Sequence, residues 1–340
     1  FTFSVAGSTI PHQISKYGQN TYTGSSLSCQ DLTKTVDVLI RNSLSKSTVS
    51  AYKATYLNYQ NFVIQFFGPT EQPLPPSLKH LTAFIAHCYI KGLAASTTRT
   101  FISSLSFIFQ LGNYQDISQT FLIKKMLKGF HKSKPTTDPR LPITPEILSS
   151  LLQSLEHTTS SFFTKLLLKA MFILAFCAFL RIGEITKTPN PTQHFLLFGN
   201  VFTGLDEHQN GYVEINIPHF KHAKSNTTTL RLHQNKNNPC FCPYQSMHNY
   251  LKVRKHASPS DPLFSFMDNT PISKQYFTQQ LRLALSFCNF DLNRYQSHSF
   301  RIGAATTAAA RGFSELQIQT MGRWNSNAFR KYIRIPALQF

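Results

Sequence analysis

An arginine follows the most apolar stretch of the chain. This stretch runs from Ala170 to Leu180, Arg181 comes directly after it, and Glu184 lies three residues further on. A guanidinium at the edge of a buried helix costs free energy unless an anion compensates its charge. Glu184 would lie on the same helical face and could supply that anion. Taken alone, the segment therefore favours a structural ion pair.

A histidine and an arginine further along the chain are spaced as H-x-x-R. Ser297 is a plausible N-cap, so His298 and Arg301 are expected on one face of the first turn of a helix. The backbone N–H groups at a helix N-terminus attract anions. The spacing therefore fits an anion-binding site, although H-x-x-R alone is more typical of a basic surface.

A third segment combines aromatic and basic side chains. Trp324 is the only tryptophan and follows Gly322 and Arg323, and Tyr332 is expected on a short helix after residues 325–327. The basic residues close to this tyrosine in the sequence are Arg330, Lys331 and Arg334. Positive charge favours the phenolate and also attracts phosphate. A lone tyrosine of this kind is nevertheless more often a packing residue.

The charge of the whole chain points to a polyanionic partner. Among 340 residues, 34 are Lys or Arg and 15 are Asp or Glu, which gives a net charge of +19. Such an excess is typical of proteins that bind nucleic acid, although solubility or binding to a membrane surface would also account for it. It argues against enzymes that handle substrates with carboxylate clusters and against ordinary small-metabolite enzymes. The longest apolar run is too short to span a membrane.

Motifs of several other enzyme classes are missing from the sequence. It contains no G-x-G-x-x-G, P-loop, H-E-x-x-H or G-x-S-x-G motif, which argues against nucleotide cofactors and zinc proteolysis. Cys240 and Cys242 lie near His233 and His248, but C-x-C is not a usual zinc-finger spacing and no second cysteine pair exists. We therefore expect neither a metal nor a cofactor. The scattered cysteines favour a reducing compartment, the cytosol or the nucleus.

The elements that would position these segments fall into two domains. Residues 1–33 are rich in Ser, Thr, Gln and Gly and are interpreted as a tail or linker. Apolar residues at helical spacing within 34–131 predict about four helices, which would form a small all-α domain. Four prolines within 132–145 indicate a linker. Basic residues outnumber acidic ones on both sides of this linker, so two linked domains that both grip a polyanion are expected.

Residues 146–340 are predicted to be mostly helical with a few strands. Apolar alternation over 212–217 and a second run over 227–232 predict two strands, with the turn between them at 223–226. Residues 198–202 could form a further short strand. The expected fold class is therefore mainly α with a small antiparallel β-sheet or hairpin.

Together, the three chemical segments resemble those of the tyrosine recombinase (phage integrase) family. The matching texts, in this order, are LRIGEI at 180–185, HSFRIGAA at 298–305 and MGRW…FRKYIR within 321–334. The resemblance extends over about residues 45–334 and implies a helical core-binding domain followed by an α+β catalytic domain. The GRW text and the Lys-His pair at 221–222 look like eukaryotic transposon-borne members of the Crypton, DIRS and Ngaro types.

The resemblance implies metal-independent cleavage of DNA through a 3′-phosphotyrosyl intermediate, followed by rejoining to a new strand. Fixed cations must then stabilise negative charge on the non-bridging oxygens of the phosphate. Guanidiniums suit this task because their donors form a fork. By resemblance, Arg181 and Arg301 hold the phosphate and Tyr332 is the nucleophile.

The departing 5′-oxygen needs a proton, which the resemblance assigns to a lysine of the predicted hairpin. Lys221 is preferred because it directly follows the strand run. Lys224 is the alternative, since the length of the turn is not fixed by the sequence.

Three further side chains receive supporting roles from the resemblance. His298 would accept or share the proton of Tyr332 and contact the phosphate. Trp324 stands where most members carry His and some carry Trp, and it can donate an indole N–H but cannot shuttle a proton. Glu184 would orient Arg181 or His298.

The front domain also resembles its counterpart in the family, at SKSTVSAYKATYLNYQNFV and GLAASTTRTFISSLSFI. The residues predicted to bind DNA in these texts and in the linker are Lys46, Lys53, Thr97, Arg99, Lys132 and Lys134. The implied partner is double-stranded DNA, bound in the nucleus by a homo-oligomer, expected to be a tetramer, that integrates or excises a mobile element. Two alternatives stay open: a host-adapted DNA-binding protein that kept the fold and lost catalysis, and a relaxing activity like that of type IB topoisomerases.

Overall fold

The computed structural model describes residues 29–135, 138–188, 195–218, 228–254 and 257–334. The chain divides into two compact units, of which the first ends at Thr137 and the second begins at Asp138. This division lies within the segment that the sequence analysis interprets as a linker, although Lys132 and Ser133 still belong to a helix of the first unit.

The first unit is helical throughout its regular elements. Its helices are α1 (Cys29–Asn42), α2 (Lys46–Phe67), α3 (Leu78–Ile90), α4 (Ala95–Leu111) and α5 (Phe121–Ser133). The last four coincide with the helices that the sequence predicts. α1 begins within the segment interpreted as a tail, where the abundance of Ser and Thr hides it. Its apolar residues Leu32, Val36 and Leu39 are exposed, so the described core of this unit comes from the other helices.

The core of the first unit is built from the predicted apolar faces. Tyr59 of α2 is fully buried, and its ring contacts Phe84 of α3 and Phe109 of α4 with centroid distances of 5.4 and 6.4 Å. Buried aromatic rings contribute much of the stability of such a core. At the start of α2, the Oγ of Ser45 accepts the N–H of Thr48 at 3.2 Å, as an N-cap does.

The second unit packs around a helix, α7 (Phe162–Cys177), whose second half is buried. Its described helices are α6 (Pro145–Thr158), α7 (Phe162–Cys177), α8 (Ile182–Ile185), α9 (Pro243–Val253), α10 (Lys274–Phe287), α11 (Ser299–Ala310) and α12 (Glu315–Met321), followed by a 3₁₀ helix (Asn327–Tyr332). α7 contains the long apolar run, and Leu167, Phe172 and Leu174 are fully buried. The ring of Phe172 contacts Phe277 of α10 and Phe300 of α11. α7 therefore packs against α11, the helix that carries Arg301.

A small antiparallel sheet completes the second unit. Its strands are β1 (Val201–Leu205), β2 (Gly211–Ile217) and β3 (Thr228–His233), in that spatial order. Val213 pairs with Thr203 on one side and Leu232 on the other. Val213, Ile215 and Ile217 turn one face of β2 into the core, as period-2 alternation predicts. The predicted fold class is confirmed.

One detail of the sheet differs from the sequence-based expectation, and a second cannot be compared with it. The predicted strand at 198–202 begins only at Val201, because Phe198–Asn200 form a 3₁₀ turn. The predicted turn at 223–226 lies outside the described residues.

Neither a membrane span nor a metal cluster occurs in the described ranges. No helix there has the length and apolarity needed to cross a membrane. These ranges also hold no group of three or more His, Cys, Asp or Glu side chains able to bind a metal ion. Cys242 instead caps α9, because its Sγ accepts the N–H groups of Asn235 at 3.3 Å and Gln245 at 3.4 Å.

Candidate active site

Arg181 is fixed by the turn that connects α7 to α8. Phe179 adopts a positive φ of 51° and reverses the chain after α7. Arg181 then occupies the N-cap of α8, where Glu184 accepts both its backbone N–H at 2.9 Å and its Nη1–H at 3.0 Å. The ion pair considered from the sequence is thus present. The Arg181 side chain keeps about a quarter of its surface exposed, at 23%, so it can still meet a ligand.

A second arginine, Arg323, shares the carboxylate of Glu184. Its Nη2 donates to Glu184 Oε2 at 2.8 Å, and its side chain is 2% exposed. The guanidinium also donates to the carbonyls of Ala178 at 3.3 Å and Phe179 at 3.4 Å. Burial lowers the pKa of Arg323, and the charge of Glu184 opposes this shift. Of the two orientation partners considered for Glu184, the described contacts fall on Arg181 and not on His298.

Arg323 was not among the residues predicted for the site. It has a φ of 54°, a left-handed backbone conformation that costs a residue with a side chain roughly 1–2 kcal/mol. That conformation allows the chain to turn after α12 while the side chain enters the interior. An arginine directly after glycine gave no signal of this in the sequence.

Arg301 lies at the bottom of the site. It is 1% exposed, and its Nη1 and Nη2 donate to the carbonyls of Phe179 and Gly322. Its guanidinium carbon lies 4.1 Å from the ring centroid of Trp324, within cation–π range. Burial, and after it the charges of Arg181 and Arg323, lower the pKa of Arg301 to about 9. Arg301 therefore remains a cation at neutral pH.

The buried charge of Arg301 is only partly satisfied by protein groups. Its Nε–H has no acceptor among the described residues. Burying a guanidinium without an acidic partner of its own is costly. Arg181, Arg301 and Arg323 together form a cluster of cations, and such a cluster is suited to binding an anion.

His298 lies beside Tyr332, the predicted nucleophile. The Tyr332 hydroxyl and the His298 Nε2 are hydrogen bonded at 3.0 Å. Burial, and then the charges of Arg140 and Arg301, lower the pKa of His298 to about 4. The imidazole is therefore neutral at pH 7, and when its proton is on Nδ1 the hydroxyl donates to Nε2. This geometry allows proton transfer from the phenol.

The helix that carries these residues begins one position later than predicted. His298 is the N-cap, with Ser299 as the first helical residue, because the His298 carbonyl accepts the N–H of Ile302. His298 and Arg301 still lie within one turn of each other.

The depressed pKa of His298 predicts an acid-sensitive fold. An unfolded chain would bind a proton at this histidine with the ordinary pKa of 6.5, whereas the folded chain does so only at about 4. The stabilisation is therefore fully present above pH 6.5 and is lost as the pH falls toward 4. Urea unfolding followed by circular dichroism should show a steeper loss of stability over this range for the wild type than for His298→Gln.

A second histidine provides the control for this measurement. His157 of α6 stacks on Phe287, with ring centroids 5.2 Å apart, and is not part of the site. His157→Gln should keep the steep pH dependence. Equal slopes for the wild type and His298→Gln would contradict the assignment of the effect to His298.

Trp324 closes the site as a packing residue. Its ring centroid lies 5.0 Å from that of Tyr332 and 6.2 Å from that of Phe179. A Cβ on Gly322 would lie 1.5 Å from the indole ring, so the residue at 322 must be glycine for the indole to occupy this position. The predicted donation from the indole N–H to a phosphate stays a prediction.

Asp138, at the start of the second unit, is hydrogen bonded to the segment that carries Tyr332. Asp138 accepts from Arg140 at 2.8 and 2.9 Å and from Arg334 at 2.9 Å. The hydrogen bonds from Arg140 are the main reason that the pKa of Asp138 falls to about 2. Thr306 of α11 adds a second attachment, because its Oγ1 donates to the carbonyl of Tyr332 at 3.1 Å. Arg140 was not among the predicted site residues, because it lies far in sequence from Arg334, with which it shares Asp138.

The remaining predicted residues are placed as follows. Lys221 and Lys224 lie outside the described residues. The predicted DNA-binding residues of the first unit that are exposed on α2, α4 and α5 are Lys46, Lys53, Thr97, Arg99 and Lys132. Lys134 differs from them, because its Nζ donates to the Tyr89 carbonyl at 2.8 Å and lies 4.2 Å from the centroid of the Tyr89 ring.

Solved structures share this architecture although their sequences differ widely from this one. A lambda integrase dimer bound to a COC′ core site is 13% identical, with a TM-score of 0.58 over 89% of this chain and 76% of that chain. The chain has the tyrosine recombinase fold. XerH site-specific recombinase in a pre-cleavage complex with difH substrate is 16% identical, with a TM-score of 0.59 over 92% and 83% of the two chains. The Tn1549 transposon integrase in complex with transposon right end DNA is 15% identical, with a TM-score of 0.58 over 88% and 93%.

Comparisons by sequence, unlike the comparison with solved structures, find no match. No protein-family model matches the chain, and no curated protein does. At identities of 13–16% the structural likeness establishes the fold. The activity has to be argued from the side chains of this chain.

Proposed function

We propose that the protein cleaves and rejoins DNA through a covalent bond to Tyr332. The observation that carries this proposal is the 3.0 Å hydrogen bond between the Tyr332 hydroxyl and a neutral His298, beside buried Arg301. A neutral imidazole can accept the phenolic proton as the oxygen attacks. Fixed guanidiniums supply the positive charge that a phosphoryl transition state needs. The tyrosine recombinases with the same fold are bound to DNA in their structures, which supports DNA as the substrate.

The proposed cleavage step is a direct substitution at phosphorus. The Tyr332 oxygen forms a bond to the phosphorus and gives its proton to His298, while the bond from phosphorus to the 5′-oxygen breaks. The departing 5′-oxygen takes a proton from Lys221. In the second step a 5′-hydroxyl of another strand attacks the phosphotyrosine and releases Tyr332, with the proton transfers reversed.

The cleavage step requires the phosphate to reach Arg301, which is buried. The guanidinium is 1% exposed, and the rings of Trp324 and Tyr332 lie 4.1 and 5.9 Å from its carbon atom. Arg181, which is partly exposed, would therefore meet the phosphate first. We propose that the Tyr332 ring then turns toward the phosphorus and opens the path to Arg301.

A suicide-substrate experiment tests the proposed function. A DNA library carries nicks a few nucleotides beyond each candidate cleavage position, so that the short released fragment diffuses away and rejoining is blocked. The proposal predicts protein–DNA adducts that survive denaturing electrophoresis, with the DNA attached through its 3′-phosphate. Sequence-specific DNA binding without any adduct would instead favour the alternative of a DNA-binding protein without catalysis.

Metal removal gives a second prediction. Because guanidiniums and a lysine carry the charge that divalent cations carry in carboxylate nucleases, adduct formation in EDTA should stay within about twofold of the rate with Mg²⁺. Gel quantification of adducts over time measures both rates. A strict requirement for Mg²⁺ would contradict this mechanism.

The biological setting is proposed on sequence grounds. The GRW text at 322–324 and the Lys-His pair at 221–222 support a transposon-borne recombinase of the Crypton, DIRS or Ngaro type, acting on nuclear DNA to integrate or excise a mobile element. We propose a tetramer on two DNA sites, supported by the dimer seen for lambda integrase on one core site. Mass photometry of the protein on single and paired sites would distinguish a dimer from a tetramer.

A further inference from the structure

We propose that Arg323 is a positioning residue that acts through Glu184 on Arg181, and this inference rests on the proposed function. Arg323 would hold the Arg181 guanidinium in place, facing the phosphate. Neither the motif texts nor the predicted site residues assign a role to Arg323.

The contacts of Glu184 show how Arg323 would position Arg181. One carboxylate oxygen, Oε1, accepts from Arg181 Nη1 at 3.0 Å. The other, Oε2, accepts from the Arg181 backbone N–H at 2.9 Å and from Arg323 Nη2 at 2.8 Å. A buried carboxylate bonded at both oxygens cannot rotate without breaking a charge-assisted hydrogen bond. The orientation of the Arg181 side chain is thereby tied to the position of Arg323.

Arg323 is itself anchored to the segment that leads into Arg181. Its guanidinium donates to the carbonyls of Ala178 and Phe179, which directly precede Leu180 and Arg181. The carbonyl of Phe179 also accepts from Arg301. Arg323 therefore connects the turn after α12 with both predicted phosphate-binding arginines.

The charges argue for a functional rather than a purely stabilising arrangement. The guanidiniums of Arg181 and Arg323 both pair with Glu184, whereas Arg301 has no ion pair among the described residues and bonds to backbone carbonyls. Burial is the main reason that the pKa of Arg301 and of Arg323 is lowered, and the charges of neighbouring arginines lower it further, so a third cation does not serve stability alone. Because Arg323 takes part of the negative charge of Glu184, Arg181 is only partly neutralised. Its remaining positive charge is available to an anion.

The test compares two substrates that differ at one atom of the cleaved phosphate. In a methylphosphonate, a methyl group replaces a charged non-bridging oxygen, so a cation that neutralises this oxygen is no longer needed. Arg323→Met should slow adduct formation on normal DNA by about 10²-fold, as misplacement of a positioning group does. On the methylphosphonate its rate should come within a few-fold of the wild type on the same substrate. Arg181→Ala should show the same pattern.

A double mutant shows whether Arg323 acts through Arg181. If it does, Arg323→Met should slow an Arg181→Ala protein by less than about threefold, since the group that it positions is already gone. Multiplicative losses of rate would overturn the inference. Arg323→Lys keeps the charge but loses the forked donors, and it should fall between the wild type and Arg323→Met.

Arg254 provides a matched control for the loss of a buried arginine. It is 5% exposed and donates to Tyr250, Ser265 and Asn269, away from the site. Arg254→Met should lower the melting temperature without a rate defect that the methylphosphonate reverses. If Arg323→Met does not fold, Arg323→Lys and Glu184→Gln carry the same comparison.

The outcomes separate this inference from the proposed function. A wild-type protein that forms no adduct on any substrate would reject the proposed function, and the inference with it. A wild type that cleaves, together with Arg323 variants that are equally fast or are slow on both substrates, would reject the inference alone.

Discussion

Tyr332→Phe should abolish the covalent protein–DNA adduct and leave DNA affinity within about twofold of the wild type. Only the hydroxyl is lost, and the phenyl ring keeps its packing against Trp324 and His298, whose ring centroids each lie 5.0 Å away. No other described hydroxyl shares the bond to His298 Nε2. Adducts are measured by denaturing electrophoresis on a nicked substrate, and affinity by a mobility shift on the same DNA.

A tyrosine elsewhere in the second unit serves as the control for this prediction. Tyr276 of α10 packs against Phe266, with centroids 4.9 Å apart, and Tyr276→Phe should form adducts at the wild-type rate. Adducts that persist in Tyr332→Phe would show that another side chain is the nucleophile.

Lys221→Ala should slow cleavage of normal DNA by about 10²–10⁴, as loss of a proton-transfer group does. A DNA in which sulfur replaces the bridging 5′-oxygen should restore most of this rate, because a thiolate departs without needing a proton. Arg181→Ala should stay slow on both substrates, since charge on the non-bridging oxygens still needs neutralising. Single-turnover rates on the paired substrates give the ratio for each variant.

Lys224 is the internal control for the general acid. If it only contacts the DNA backbone, Lys224→Ala should be close to the wild type on both substrates. Should the sulfur substrate rescue Lys224→Ala and not Lys221→Ala, the two lysines exchange roles.

Local rules account for the parts of the molecule that the sequence predicted correctly. The i, i+3 spacing of Arg181 and Glu184 became an ion pair in which Glu184 also accepts the backbone N–H of Arg181, and apolar spacing in α2 and α4 marked the buried faces that hold Tyr59 and Phe109. The alternation of apolar and polar residues likewise marked the buried face of β2. These features depend on residues close in sequence, whose geometry is set by the helix or strand itself.

The contacts that the sequence did not predict join distant segments. Arg323 reaches Glu184 across 139 positions, and Arg140 affects His298 from the start of the second unit. Spacing within one element carries no information on such pairs. α1 was missed for a different reason, since its polar composition resembles that of a tail and its apolar residues remain exposed.

The place of Trp324 in the site gives the protein an optical reporter of its own. Because the chain has one tryptophan, all indole fluorescence originates there, from a ring that is 8% exposed and shielded from water. The cation of Arg301 lies over its face and the Tyr332 ring lies beside it. A phosphate that draws away Arg301, or a Tyr332 ring that turns toward phosphorus, changes the field around the indole and therefore its emission wavelength and lifetime. We therefore expect that phosphate binding and movement of the Tyr332 ring can be followed in real time without any attached dye.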